Sequence, residues 1–187
     1  GRDLRGRIFD INEYAQEKYA GAFWGDPGEP AREYMLGRGF SESTLREFGV
    51  GYAPDGWRNM ARALKRDGYD LEDACEAGLL GTSDSGRVYD RFRNRIVFPI
   101  QNLGGRVVGF GGRILPAAED GPKYLNSPES PAFTKRATLY GLRRSRDAIR
   151  EQGSCLVMEG YTDVLRCHQA GFTTAVATLG TALTEQH

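Results

Sequence analysis

The sequence predicts an α/β fold, and three observations predict it. Apolar residues recur at helical spacing through roughly the first eighty positions, β-rich runs flanking a glycine turn follow, and the closing stretch reads strand, helix, strand. We expect a mixed helical and antiparallel-sheet part over residues 1–153, then a parallel βαβ unit from Ser154 to His187.

Each element has its own local reason. Ile8, Ile11, Tyr14, Ala15, Tyr19, Ala22 and Phe23 fall on one helical face, and the run breaks at Gly25-Asp26-Pro27-Gly28. Pro30 suits a first helical turn, Gly37 and Gly39 a stop, and Ser41 a cap for a short helix carrying Leu45 and Phe48. "GWRNMARALKRDGY" and "DLEDACEAGLL" continue the helical pattern, the second with Asp70 as N-cap and Gly78 near its end. From Gly81 the texture changes. "GTSDSGR" is a polar turn, and "RIVFPIQ" and "RVVGFGGRIL" make an antiparallel hairpin about Asn102-Leu103-Gly104-Gly105. Pro99 should lie at an edge or bulge, because it has no N–H for a ladder. "PAAEDGPKYLNSPESPAF" reads as loop, and "LYGLRRSRDAIREQG" as a helix stopped by Gly153. Then come strand "CLVME", helix "TDVLRCHQA" ended by Gly171, strand "TTAVATLG", and "TALTEQH" as the opening of another helix.

Composition bounds the chemistry. The chain has 187 residues, 40% hydrophobic and 27% charged, with no apolar run long enough to cross a bilayer. No secretory signal opens it, and Cys75, Cys155 and Cys167 form neither a paired framework nor a close-spaced zinc motif, so zinc is not expected. A cytoplasmic protein with no membrane partner is expected. The net charge of zero conceals an asymmetry: residues 87–150 hold 13 Lys/Arg against 5 Asp/Glu. Such a block can attract polyanions, or can be a set of solvated surface cations; charge alone leaves both open.

Glu159 is the first candidate for chemistry. It ends the first parallel strand, at the sheet edge where open α/β sheets place ligands, and a carboxylate there can hold Mg²⁺ or act as an acid or base. The alternative is an acid placed near a helix N-terminus for its dipole, worth about 0.3–1 kcal/mol. Asp163 faces the same pair of readings. His168 reads as structural, no serine occupies a nucleophile elbow, and "GFGGRI" lacks the last glycine of a dinucleotide fingerprint. Among the cations, Arg113 ends a strand beside two glycines, Lys123 opens "KYLNSPES", and Lys135 follows Phe133. Cations beside aromatics suit phosphate and base contacts if they converge on one surface.

Four stretches, "REYMLGRGFSESTLREFGVGYAPDGW", "YDRFRNRIVFPIQNLGGRVVGFGGRIL", "PKYLNSPESPAFTKRATLYGL" and "VMEGYTDVLRCHQAGFTTAVATLGTALTEQH", together resemble the RNA-polymerase core of bacterial DNA primases. The match runs in order from about Pro30, and its last segment resembles the opening of a Toprim module. The resemblance implies Mg²⁺-dependent (or Mn²⁺-dependent) joining of ribonucleoside triphosphates into a short RNA primer on a single-stranded DNA template. It makes Glu159 the catalytic and metal-binding Toprim glutamate. Arg38, Arg113, Lys123 and Lys135 would line the basic surface around it, and Asn126 and Asp163 would be further members of the nucleotide site. The family's later Asp-x-Asp strand would follow His187, so we expect a primase core piece that does not make primers alone, with replicative-helicase contacts lying in other regions. Two other readings stay open: a Toprim enzyme that cleaves DNA, and a non-catalytic single-strand-binding module.

Overall fold

Helix α1 (Leu4–Trp24) is capped by Asp3, whose side chain accepts from Gly6 N–H, and it buries Ile8, Ile11, Ala15, Tyr19 and Phe23 as the spacing requires. The computed structural model describes residues 3–116, 118 and 121–187. A 3₁₀ turn at Asp26–Gly28 redirects the chain into α2 (Glu29–Gly37), which has proline in its first turn. Gly39, at φ +89°, closes α2: Phe40 N–H reaches back to Met35 O and Gly39 N–H to Leu36 O, a Schellman cap that leaves Phe40 and Met35 in the core. Ser41 caps α3 (Glu42–Glu47) by accepting from Thr44 N–H. Helices α4 (Asn59–Arg66) and α5 (Leu71–Glu76) follow, the second capped by Asp70.

The main sheet has four strands in the order β1, β4, β5, β6: Gly51–Ala53, Arg95–Gln101, Val107–Ile114 and Tyr124–Asn126, all neighbours antiparallel. The expected hairpin is β4–β5, turned by Asn102 and Gly105 at φ +83°. Pro99 lies beyond the last β1 pairing, one residue before a register shift at Ile100/Gln101. Two departures from the sequence reading concern strands. "KYLNSPES" is not loop throughout, because Tyr124–Asn126 forms β6 on the free edge of β5. The polar turn at residues 83–87 closes a small hairpin of its own, β2 (Leu80–Thr82) with β3 (Val88–Asp90). Three-residue strands carry too little alternation to register as periodicity; their partners make them strands.

The parallel unit is present. Strand β7 (Leu156–Met158) pairs with β8 (Ala175–Ala177) across helix α7 (Tyr161–Gln169), preceded by α6 (Leu142–Gln152). The other edge of β8 is bridged by Tyr140, which exchanges both backbone hydrogen bonds with Ala177. "TALTEQH" does not form the expected helix: it makes one turn, His187 N–H to Thr184 O, held by Thr184 Oγ1 donating to Arg136 O. A helix needs several successive closed bonds before it gains stability, and one turn provides one. Helix α7 shares the main core, where Tyr161, Val164 and Leu165 join Phe98, Ile100, Val108, Phe40 and Phe48. Among the described residues, no helix is long and apolar enough to cross a membrane.

Candidate functional site

Two tyrosines gather the basic residues. Arg113, near the end of β5, lies across the pairing ladder from Tyr124, stands over that ring at 5.3 Å, and donates from Nη2 to Tyr34 Oη at 3.1 Å. Arg38 stands over the Tyr34 ring at 5.3 Å, and Lys123 over Tyr124 at 6.0 Å. A tyrosine face holds a cation without neutralising it, so three cations share one surface while keeping their charge for an anion. Among the described residues, none of the three forms an ion pair with a carboxylate.

The acidic turn is tied to that cluster by Tyr161. The ring is 5% exposed and lies on Gly111, where an added Cβ would be 2.1 Å from its Cζ; it stacks on Phe98 at 5.2 Å and meets Tyr140 edge-on at 4.6 Å. Burial, with Tyr140 beside it, holds its phenol proton far above the usual range, so Tyr161 remains a donor and gives its proton to Asn126 Oδ1 at 2.7 Å. Asn126 pairs with Gly111 in the β5–β6 ladder, two residues from the Tyr124–Arg113 pair. Glu159 therefore projects two residues before a side chain anchored in the basic strand. Gly160 is the N-cap of α7 and no side chain caps that helix, so neither Glu159 nor Asp163 is engaged in a cap; both are exposed, and neither has a hydrogen bond or ion pair among the described residues.

Lys135 stands apart. It opens a 3₁₀ turn (Lys135–Ala137), its N–H donates to Glu129 Oε1 at 3.0 Å, its carbonyl lies 2.9 Å from His187 Nε2, and among the described residues no hydrogen bond or cation–ring contact joins it to the two tyrosines. His168 is a packing residue, 3.0 Å from both Ser145 Oγ and Ala175 O, with Phe48 against its ring.

A second basic surface escaped the sequence reading. A cleft of about 820 Å³ is lined by Trp57, Tyr89, Arg91, Arg93, Arg95 and Asp55 among others. Trp57 is 62% exposed, and Arg93 lies 3.8 Å from the centre of its ring. Arg95 is only 4% exposed; its guanidinium donates to the carbonyls of Gly112 and Pro122 and, among the described residues, forms no ion pair, and burial lowers its pKa from the ordinary value. Nε of Arg91 is buried without a partner among the described residues. The arginines sit at alternate positions in "RFRNR", but Asn94 at φ +49° breaks the backbone just before β4, so packing rather than a strand period gathers them in one cleft.

Comparison with known proteins fits this geometry. Residues 19–146 match the family model for the DNA primase catalytic core, N-terminal domain, and residues 153–187 match the Toprim domain. The chain is 45% identical over 188 aligned positions to the DNA primase of Deinococcus radiodurans, covering 100% of this chain and 32% of that protein. It is 44% identical over 182 positions to the DNA primase of Pseudomonas aeruginosa, covering 96% and 27%. The chain thus spans 32% and 27% of the length of these two curated relatives. In structure it superposes on the RNA polymerase domain of Mycobacterium tuberculosis primase in complex with a double-stranded DNA oligomer bearing a 6-nucleotide overhang: TM-score 0.91, 38% identity, 97% of this chain and 57% of that one. A primase catalytic domain bound to single-stranded DNA gives TM-score 0.88 and 42% identity, over 98% and 59%. With more than half its residues matched by the catalytic-core model and residues 153–187 by the Toprim model, this chain belongs to the DNA primase catalytic core family.

Proposed function

We propose that this chain supplies the template-binding and nucleotide-holding part of a primase, an enzyme that joins ribonucleoside triphosphates into RNA primers on single-stranded DNA. The observation that carries the reading is the convergence of Arg38, Arg113 and Lys123 on Tyr34 and Tyr124, linked through Asn126 and Tyr161 to the turn bearing Glu159. The three cations would hold the triphosphate, Asn126 would offer its amide N–H groups, and Glu159 and Asp163 would hold the divalent cation that lets carboxylates and phosphate share one site. The division at Ser154 would separate the basic part, residues 1–153, from the acidic Toprim part. Lys135 would act from the rim, since it does not join the cluster.

Divalent metal is implied by the family, and Glu159 and Asp163 are oxygen donors of the kind magnesium takes. Among the described residues, no group of three or more His, Cys, Asp and Glu lies together, so the chain's own donors do not complete a metal site. Without the metal, the groups left to bind and orient phosphate would be the cations Arg38, Arg113 and Lys123, since a bare carboxylate repels it.

The Trp57 cleft would carry the template. A ring with a guanidinium stacked on it and two more arginines alongside suits a base over the ring and phosphates along the charges, without regard to sequence. Glu159→Gln in the full-length parent tests the central reading: primer synthesis should fall at least a hundredfold or so, the order of loss seen when one essential charge-stabilising group is removed. Single-stranded DNA affinity should hold within about twofold, well inside one factor of ten per 1.4 kcal/mol. Undiminished synthesis by that variant would reject the role. Cleavage of the template instead of extension would favour a DNA-cleaving Toprim enzyme.

A further inference from the structure

The nucleotide surface is held from behind as well as through Tyr161. Arg38 is the first residue past α2, and the loop it begins is gripped by the far end of α7. Arg166 Nη2 donates to Arg38 O at 3.0 Å, and the same guanidinium lies 4.5 Å from the centre of the Phe40 ring. Gln169 Nε2 donates to Gly39 O at 2.7 Å while its Oε1 accepts from Ser41 N–H at 2.7 Å. A side-chain amide that donates to one peptide group and accepts from another two residues on behaves as a strand partner would. These are the groups the Schellman cap leaves over, since that cap uses the N–H groups of Gly39 and Phe40 and leaves the carbonyls of Arg38 and Gly39 facing outward.

Helix α7 thus touches the site at both ends. Its first residue, Tyr161, fixes Asn126, and its last turn fixes the loop from which Arg38 reaches Tyr34. Tyr34 receives the Arg113 hydrogen bond, and Arg113 stands over Tyr124, which is in the same strand as Asn126. The contacts close a ring: α7, Asn126, β6, Arg113, Tyr34, Arg38, α7. Phe40 anchors the middle of the loop in the core, but Arg38, Gly39, Arg166 and Gln169 are all exposed, so the orientation of Arg38 over Tyr34 depends on these hydrogen bonds rather than on its own burial.

We propose that Gln169 and Arg166 are positioning residues: by gripping the backbone of residues 38–41 they set Arg38 at the distance from the Glu159 turn that a bound triphosphate requires. This rests on the reading of Arg38 as a phosphate-binding residue, and the test separates the two. The 187-residue chain, Gln169→Ala, Arg38→Ala and the double variant are titrated with ATP by calorimetry, with the Nε–H resonance of Arg38 followed by NMR. Loss of two hydrogen bonds at an exposed site should weaken ATP binding about five- to tenfold in Gln169→Ala. The Arg38 resonance should broaden or move to an unrestrained position before any nucleotide is added. The double variant should bind as Arg38→Ala does, because Gln169 acts only through Arg38. Gln169→Glu, which keeps the acceptor for Ser41 and loses the donor to Gly39, should fall between. If Arg38→Ala weakens binding and Gln169→Ala does not, or if the two losses add, the positioning role is overturned while the phosphate role of Arg38 stands. If Arg38→Ala itself binds ATP as the parent chain does, the reading of the site fails and the inference fails with it.

Discussion

Gly111 and Tyr161 show how one side chain's absence places another. Strand β5 carries "GFGG", and at Gly111 any Cβ would meet the aromatic ring of Tyr161, which is sandwiched between Phe98 and Tyr140 and has nowhere to go. Gly111 has no unusual backbone angle, so the cost of replacing it is steric. Gly111→Ala should destabilise the chain by about 1–3 kcal/mol, as overpacking of a filled core does. At this chain length that lowers Tm by about 2–4 °C per kcal/mol. Urea unfolding checks it, and Tyr161→Ala in the same chain should make the added methyl harmless. At this scale the sequence showed glycines that let a backbone come close without saying to what. The answer, a ring fifty residues away, depends on α7 packing across the sheet.

At the scale of elements, helix ends were legible and helix contacts were not. Ser41 and Asp70 each cap the helix that follows, as expected, and Gly39, Gly78, Gly153 and Gly171 end helices in the left-handed conformation; the Asp3 cap of α1 was not read from the sequence. Such signals act within four residues, so local sequence suffices. How the elements join is another matter, as the tie of α1 to α5 shows. Arg7 donates from Nε and Nη2 to the two oxygens of Asp73, at 2.7 and 3.1 Å, a forked pair spanning 66 residues. These hydrogen bonds hold the Asp73 carboxyl below its usual range, and burial opposes them only in part. A lowered carboxylate adds stability that is whole above the ordinary value of 3.8 and is lost as pH falls through its lowered value. The difference in Tm between this chain and Asp73→Asn should stay level from about pH 8 to about pH 5 and shrink toward about pH 2. A difference that grows on acidification would show that the pair does not stabilise the fold.

Over the whole molecule the decisive feature is where charge lies. The chain is neutral overall, yet six of its 25 lysines and arginines gather at the Trp57 cleft and the Tyr34–Tyr124 surface. Single-stranded DNA binding by the chain should weaken steeply with salt. Trp57→Ala should raise Kd about fivefold to a hundredfold, the worth of one stacked base, with the salt slope unchanged. Arg91→Ala should instead reduce that slope by about one. A fluorescence anisotropy series in which neither variant differs from the parent chain would remove the cleft from the binding surface.

By itself the sequence determined the helices other than the one expected at "TALTEQH", the β4–β5 hairpin, the parallel unit with Glu159 at its strand tip, and a resemblance whose family the comparisons bear out. These depend on spacing, caps and turns, which act between near neighbours. Tertiary structure alone decided that β6 is a strand, that Arg38, Arg113 and Lys123 meet while Lys135 does not, and that Trp57 shares a cleft with Arg91, Arg93 and Arg95. Those relations join residues tens of positions apart, and only the packing of a closed core sets such distances.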